Sequence, residues 1–294
     1  MSISPARKAR IKINGKTTCF AIFQNKSVKE VVSNVDNAIC GDIDHPIWRR
    51  AEGREILACT LTFDFTASQI VHLLPLFGVT DGGSSSYSLG ADDTLPPFAM
   101  QIDLVGSIHD WANCYVAKYT FRGSRGSAPM QLELDIVGTT ETEGSTFVVD
   151  PLAANDIFSF TDVSSCTIDA IARQVNSILI QVDNKLILEW NNSTNLTDAV
   201  IGARETVIAT SVPYTSTWDD LYWNFKTDLD GIPTIIVFAS ADQTITFTAT
   251  KCIGIARTGD VVSKNDQIRT PVTLLADRGL SGATRITPLT IALT

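Results

Sequence analysis

The chain has 294 residues, of which 44% are hydrophobic and 19% are charged, and its formal net charge is −9 at pH 7. This is the composition of a globular protein, long enough for two domains of about 150 residues or one large β domain. The negative charge argues against a protein that wraps nucleic acid, because binding to phosphates needs clustered Lys and Arg.

The first dozen residues are basic and lack an apolar stretch, which argues against a signal peptide. No apolar run approaches the roughly 18 residues that a membrane helix needs, so we expect no membrane insertion. The six cysteines are scattered without a C-x-x-C pair. We therefore expect reduced, mostly buried thiols in a protein made in a cytoplasm.

Taken in order, the first half opens with strand patterns over residues 11–23 and 28–39. The polar stretch 40–52 follows and predicts an exposed loop. Residues 54–65 then alternate strictly between apolar and polar side chains, which predicts a strand with one buried and one polar face.

A change to helical spacing predicts a short helix over residues 66–77, capped by Thr66 or Ser68. The Gly- and Ser-rich residues 80–93 predict a flexible insertion, and residues 139–150 a polar linker. Between these two segments, strands are predicted over residues 98–104, 111–122 and 131–137.

The second half repeats this order. Strands are predicted over residues 158–168, 177–190, 204–214, 233–238, 244–256 and 268–276. A second helix is predicted from the cap at Ser216 and Thr217, with Asp219 and Asp220 in its first turn. The fold class is therefore mostly β with a minor helical part: two tandem antiparallel β-sandwich or barrel domains, residues 1–146 and 147–294, each flanked by one α-helix.

Short signatures support a duplication. Val35-Asp36-Asn37 and Val182-Asp183-Asn184 lie about half a chain apart, and so do Arg54-Glu55 and Arg204-Glu205. In each half a polar excursion separates the triplet from the Arg-Glu pair. We interpret the spacing as a domain that occurs twice.

Motifs for chemistry are sparse. His45, His72 and His109 are isolated from one another, and neither a metal-binding spacing nor a nucleotide or hydrolase motif occurs. Glu133 and Asp135 share a strand face and could act as paired acids, but the solvent-exposed face of a sheet explains them better. We expect no enzyme activity, no metal and no cofactor.

The order of strand, polar loop, strand, helix and three strands resembles the tail tube proteins of long-tailed bacteriophages, in particular those that carry the fold twice. The segments 97–138 and 177–277 carry the resemblance. It implies a structural virion protein that assembles in the host cytoplasm into stacked rings, forming the DNA-conducting channel of the tail. Three duplicated chains would close a pseudo-hexameric ring in which strands of neighbouring subunits join.

The resemblance also implies partners and surfaces. The partners are other copies of the chain, a tape-measure protein and a tail terminator, while DNA passes through the lumen without specific binding. Strand alternation and the resemblance together place these residues towards the lumen: Thr60, Thr62, Asp64, Glu133, Asp135, Thr246, Thr248 and Thr270. The two polar loops, residues 40–52 and 190–203, would contact the adjacent ring through Asp44, His45, Trp48, Arg49, Arg50, Asn191, Asn195 and Asp198.

The alternative that stays open is a β-sandwich virion protein that binds a receptor or a carbohydrate. Trp48, beside Arg49 and Arg50, is the best candidate for an intermolecular contact in either case, because Trp and Arg are enriched at interface anchors.

Overall fold

The computed structural model describes residues 10–18, 22–33, 50–83, 85–89, 95–126, 129–153, 157–190, 196–213, 231–241, 243–257, 269–276, 280–281, 284–285 and 287–294. The first-half strands are β1 (Arg10–Ile13), β2 (Lys16–Thr18), β3 (Ile22–Asn25), β4 (Val28–Ser33), β5 (Arg50–Asp64), β6 (Val79–Asp81), β7 (Ser86–Leu89), β8 (Phe98–Leu104), β9 (Ser107–Ser124), β10 (Gln131–Gly138) and β11 (Thr140–Gly144). The remaining strands are β12 (Val163–Ile168), β13 (Ile171–Ala172), β14 (Ser177–Asp183), β15 (Ile187–Glu189), β16 (Asp198–Val200), β17 (Glu205–Pro213), β18 (Ile232–Ala239), β19 (Thr244–Arg257), β20 (Arg269–Ala276), β21 (Leu280–Ser281), β22 (Thr284–Arg285) and β23 (Thr290–Leu293). The prediction of a mostly β protein is confirmed.

One antiparallel series of strands joins the two halves of the chain. It runs β5, β10, β9, β14, β17, β20, β19, with β3 and β4 on the outer edge of β5. We call this series the wall. The junction between the halves is the pairing of β9 with β14, in which Lys118 lies opposite Asp183.

A second layer packs on the wall. It contains β1, β8 and β11 around the N-terminal part of β9, and β12, β18 and β23 around the N-terminal part of β19. The long strands β9 and β19 therefore belong to both layers. Each carries bulges where it passes from one to the other, as expected where a strand bends.

The two layers enclose one core that draws on both halves of the chain. Phe65 and Phe121 from the first half meet Phe238 and Phe247 from the second, with ring centroids 6.0 Å apart for Phe65–Phe238 and 4.9 Å for Phe121–Phe247. All four rings are buried. Burial of each such side chain contributes about 1.5–3 kcal/mol, so neither half has a core of its own in this region.

The first predicted helix is confirmed as α1 (Ala67–Leu73). The Gln69 amide donates to the Thr66 hydroxyl at 3.3 Å, and Ile70 and Leu73 face the core. A 3₁₀ turn, Leu74–Phe77, continues it to Gly78 at φ 68°. The second predicted helix, which starts at Ser216, lies outside the described residues.

Two sequence predictions are wrong. The segment 80–93 is not simply a flexible insertion, because β6 and β7 form a hairpin in it and β7 pairs with the C-terminal strand β23. The linker at 139–150 contains β11, which pairs with β9. In both cases a strand distant in the chain supplies hydrogen bonds that local composition cannot indicate.

Bulges at matching steps reveal a repeat in the fold itself. Between Trp111 and Cys114, strand β9 has one residue more than the facing segment of β8. Between Ala249 and Cys252, strand β19 likewise has one residue more than the facing segment of β18. A second bulge follows on each long strand, at Ala117 against β10. Its counterpart lies at Ile255 against β20. We call β5, β8, β9 and β10 the first repeat, and β17, β18, β19 and β20 the second.

The structural repeat corrects the signatures from which a duplication was predicted. Ile136 lies opposite Cys59 and Leu274 opposite Ile208, so Cys59 corresponds to Ile208. Counting back along the two strands, Glu55 corresponds to Arg204 and not to Glu205. The Arg-Glu pairs are thus offset by one residue, which in a strand places their side chains on opposite faces.

Candidate assembly surface

A row of polar residues crosses the face of the wall that points away from the core. Thr60 lies opposite Asp135, and Asp135 opposite Lys118. The row continues into the second half, with Lys118 opposite Asp183 and Asp183 opposite Glu205. Alternate strand residues point to the same side, so this row and its neighbours form what we call the polar face of the wall.

Carboxylates and cations alternate on the first part of this face. Lys118 Nζ lies 3.7 Å from Asp135 Oδ2, and Lys26 Nζ lies 3.5 Å from Asp135 Oδ1. The Thr60 hydroxyl donates to the same carboxylate. Arg122 Nη2 lies 3.2 Å from Glu133 Oε2.

The ion pairs continue past the junction of the two halves. Lys185 Nζ lies 2.9 Å from Asp183 Oδ2 and 3.4 Å from Glu205 Oε2. The hydrogen bond to Asp183 raises the pKa of Lys185, with Glu205 adding to it. Exposed ion pairs contribute little to stability, so their main effect is to balance charge along the face.

Five of the residues predicted to face the lumen come together here: Thr60, Thr62, Asp64, Glu133 and Asp135. Thr60 and Thr62 are only 5% and 3% exposed, because they sit between neighbouring strands of the wall. The carboxylates of Glu133 and Asp135 are partly exposed and accessible to solvent.

The other three predicted residues lie elsewhere. Thr246 and Thr248 flank Phe247 on the second-layer part of β19, where they pair with β18 and β23. Phe247 points at Phe121 of the wall, so the two threonines point away from it. The structure does not bring them to the polar face. Thr270 lies in β20, opposite Val212.

At the described positions that match Thr60, Lys118, Glu133 and Asp135, the second repeat carries no charge. Ala209 corresponds to Thr60, and Thr273 to Asp135. Beside them, a groove of about 560 Å³ opens across β9, β14, β17 and β20, lined by residues that include Ser177, Leu179 and Pro271. The first repeat thus carries a network of ion pairs on the polar face, whereas the second carries uncharged residues at the matching described positions, with Glu205 at the start of β17 paired to Lys185.

A short hairpin, β15–β16, connects β14 to β17 and includes part of the second polar loop. Its Asp198 accepts hydrogen bonds from the Tyr115 hydroxyl at 3.0 Å and from the Ala199 amide at 2.7 Å. Burial raises the pKa of Tyr115 to about 12, and the hydrogen bond to Asp198 is the second cause of this increase. Asp198, predicted as an inter-ring contact, therefore holds the hairpin to its own chain. Ile187 on the hairpin is an exposed large hydrophobic residue.

The other predicted loop contacts cannot be placed in the same way. Arg50 begins β5, at the base of the first polar loop. Outside the described residues lie Asp44, His45, Trp48, Arg49, Asn191 and Asn195.

A buried hydrogen-bond cluster explains the signature in the second half. Asn184 is 0% exposed; its amide nitrogen donates to the Val116 carbonyl at 2.8 Å, and its oxygen accepts from Arg204 Nε at 2.8 Å. Arg204 also reaches the Gly78 carbonyl at 3.3 Å. The cluster fastens the base of the hairpin to the end of the 3₁₀ turn. Sequence reasoning missed it because its partners are far apart in the chain.

The prediction of buried, reduced thiols is confirmed for Cys59, Cys114, Cys166 and Cys252. Burial raises the pKa of Cys114 and Cys166 to about 12 and of Cys252 to about 11. A thiol that stays protonated is a poor nucleophile, so these cysteines contribute to packing.

Within the part of the chain that the structure describes, no group of three or more His, Cys, Asp or Glu side chains could hold a metal ion. No helix there is long and apolar enough to cross a membrane. Comparison of the chain with known protein families and with curated protein sequences gave no match.

Proposed function

We propose that the protein is a structural subunit of a phage tail tube, which self-assembles into stacked rings around a channel for DNA. The observation that carries the proposal is the wall: two equivalent sets of strands stand side by side in one chain, joined through β9 and β14. A ring needs such equivalent segments at regular angles. Three chains would supply six of them.

The polar face fits a surface along which DNA slides. Its cations, such as Lys118, Arg122 and Lys185, are each within 4 Å of a carboxylate. Tight binding of DNA requires cations that can neutralise phosphates and release counterions. A face whose cations are already paired neither holds nor strongly repels the duplex. We place Thr60, Glu133 and Asp135 on the lumen side of the ring.

The role is structural, without catalysis and without a cofactor, and the location is the tail of a virion assembled in the host cytoplasm. Partners are other copies of the chain, a tape-measure protein and a tail terminator. The tandem-domain boundary near residue 146 belongs to the same proposal, with the qualification that the two halves share core residues.

The alternative, a virion protein that binds a carbohydrate or a receptor, would use a groove with aromatic walls. The groove across β9, β14, β17 and β20 is lined by Ser, Thr, Pro and aliphatic residues together with Arg122 and Gln131, and no aromatic side chain is among its described lining. The alternative therefore has less support than the tube.

Negative-stain electron microscopy of the purified protein tests the proposal. We expect discs or tubes with a central hole wide enough for duplex DNA. A compact monomer at every concentration, particularly one that binds a glycan, would contradict it.

A further inference from the structure

The long strands β9 and β19 differ in one respect. On one edge β9 pairs with β8 and then β14, and on the other with β11 and then β10. On one edge β19 pairs with β23 and then β20, and on the other with β18 as far as Cys252. Among the described residues, the edge of β19 beyond Cys252 has no neighbour, although β14 fills that position on β9.

The opposite end of the wall shows the complementary difference. Strand β17 is flanked by β20 and β14, and β14 is flanked in turn by β9. Strand β5 is flanked by β10 and by β3 and β4. In the described part of the chain nothing pairs with the outer edge of β3 and β4. Within the described residues the wall thus ends in two unpaired strand edges, one at each end.

The matching bulges give the register for these edges. Lys118 and Ala256 occupy the same place, each directly after the second bulge of its long strand. Cys59 corresponds to Ile208, so the residues three positions earlier on the two strands, Ile56 and Glu205, also correspond. Asp183 lies opposite Glu205 and Val28 opposite Ile56, so Asp183 corresponds to Val28.

Within the chain, Lys118 and Asp183 lie opposite each other at the junction of the two halves. We infer that the exposed edge of β19 pairs antiparallel with β3 and β4 of a second copy, with Ala256 of one copy opposite Val28 of the next. The junction inside the chain serves as the template for the junction between chains. An unpaired strand edge is a ready site for strand addition, and a head-to-tail contact closes into a ring when its rotation allows.

This inference rests on the proposed ring assembly, and it names the edges and the register. A cysteine pair tests it, because directly opposed strand residues have Cβ atoms about 4.5–5.5 Å apart, close enough for a disulfide after small adjustment. In Val28→Cys/Ala256→Cys, mild oxidation of assembled protein is expected to give thiol-reducible dimers and trimers on denaturing gels. The matched control is Gln24→Cys/Ala256→Cys, which moves one cysteine about 13 Å along the edge.

The outcomes separate the register from the function. Rings that cross-link in the first variant and much less in the control support the inference. Rings that form but cross-link equally, or only in the control, overturn the register and leave the proposed function standing. Absence of rings in the wild-type protein, with no cross-linking in either variant, overturns both.

Hydrogen exchange on the unmodified protein gives a second test that does not depend on the cysteine variants folding. The amides of β3, β4 and the end of β19 beyond Cys252 are expected to exchange at least tenfold more slowly in rings than in dilute monomer. Equal exchange rates in the two states contradict the inference.

Discussion

On the polar face of the wall, the first repeat places Asp135 beside Lys118, whereas the second places Thr273 beside Ala256. On the opposite, buried face the repeats agree in character: Ile136 corresponds to Leu274, and Cys114 to Cys252, all four of them buried. The fold therefore requires the apolar alternation and the bulges, while the charges of the polar face are free to differ. Those charges are the part of the wall that we assign to function.

The largest expected effect tests whether the two repeats depend on one core. Phe121→Ala removes a ring that packs on Phe65, Phe77 and Phe247. We expect a loss of about 3–5 kcal/mol in the free energy of unfolding, with both repeats still unfolding together. Urea unfolding followed by hydrogen exchange checks this, with the exposed Val149→Ala as control. Loss of protection confined to the first repeat would show that the halves are independent.

A smaller effect is expected at the buried cluster of Asn184 and Arg204 in the second half. Arg204→Ala leaves the buried Asn184 oxygen without the Arg204 donor, which should cost about 1.5–3 kcal/mol and speed exchange in β15 and β16. Arg125→Ala, at an exposed turn, is the matched control. If the two variants lose equal stability, the cluster does not hold the hairpin.

The turns before β9 and β19 differ in their dependence on pH. Asp103 Oδ1 accepts from the Gly106 amide at 2.7 Å, and Oδ2 accepts from Arg10 Nε at 3.0 Å. The hydrogen bond from Gly106, and then Arg10, hold the pKa of Asp103 below its ordinary value. In the second repeat the Ser240 hydroxyl, which is uncharged, accepts a hydrogen bond from the backbone amide of Gln243 instead.

A lowered carboxyl pKa gives stability that is present above the unfolded-state pKa and lost as pH falls through the folded-state pKa. Asp103→Asn should therefore cost about 1–2 kcal/mol at pH 7, with the difference from wild type shrinking below about pH 4. Ser240→Ala should show a difference that does not vary with pH. Thermal unfolding across pH measures both, and a constant Asp103→Asn difference would contradict the account.

The smallest effect concerns the charges of the face itself. Asp135→Asn breaks the pairs with Lys118 and Lys26 and should cost about 0.5–1 kcal/mol at low salt, less at 1 M salt because the pairs are screened. Thr273→Asn, at the matching position of the second repeat, should show no dependence on salt. The urea midpoints of both variants at low and high salt measure this difference. Equal salt dependence of Asp135→Asn and Thr273→Asn would contradict the distinction between the two repeats.

Much of the wall could be predicted from the sequence, because period-two alternation in β5 and β10 identifies both the strands and their buried faces. The helix α1 followed from its cap and spacing. The hairpin β6–β7 could not be predicted, since its partner β23 lies some two hundred residues away and its own composition is typical of loops.

The candidate surface was predicted in part. Alternation predicted that Thr60, Glu133 and Asp135 share one face of the wall, but it did not predict the cations that pair with them, because register between strands decides which charges meet. The Arg-Glu signature misled by one residue, since Arg204 is placed by distant Asn184 and Gly78. The hydrogen bond between Asp198 and Tyr115 was not predicted either, because nothing local in the sequence indicates it.

The most direct test of the central claim is to count chains and wall segments in the assembled particle by cryo-electron microscopy. The account predicts rings of three chains whose inner wall shows six similar segments, alternating between charged and uncharged polar faces. Rings of six chains, or particles in which the polar face with Asp135 and Lys118 points outward, would contradict it.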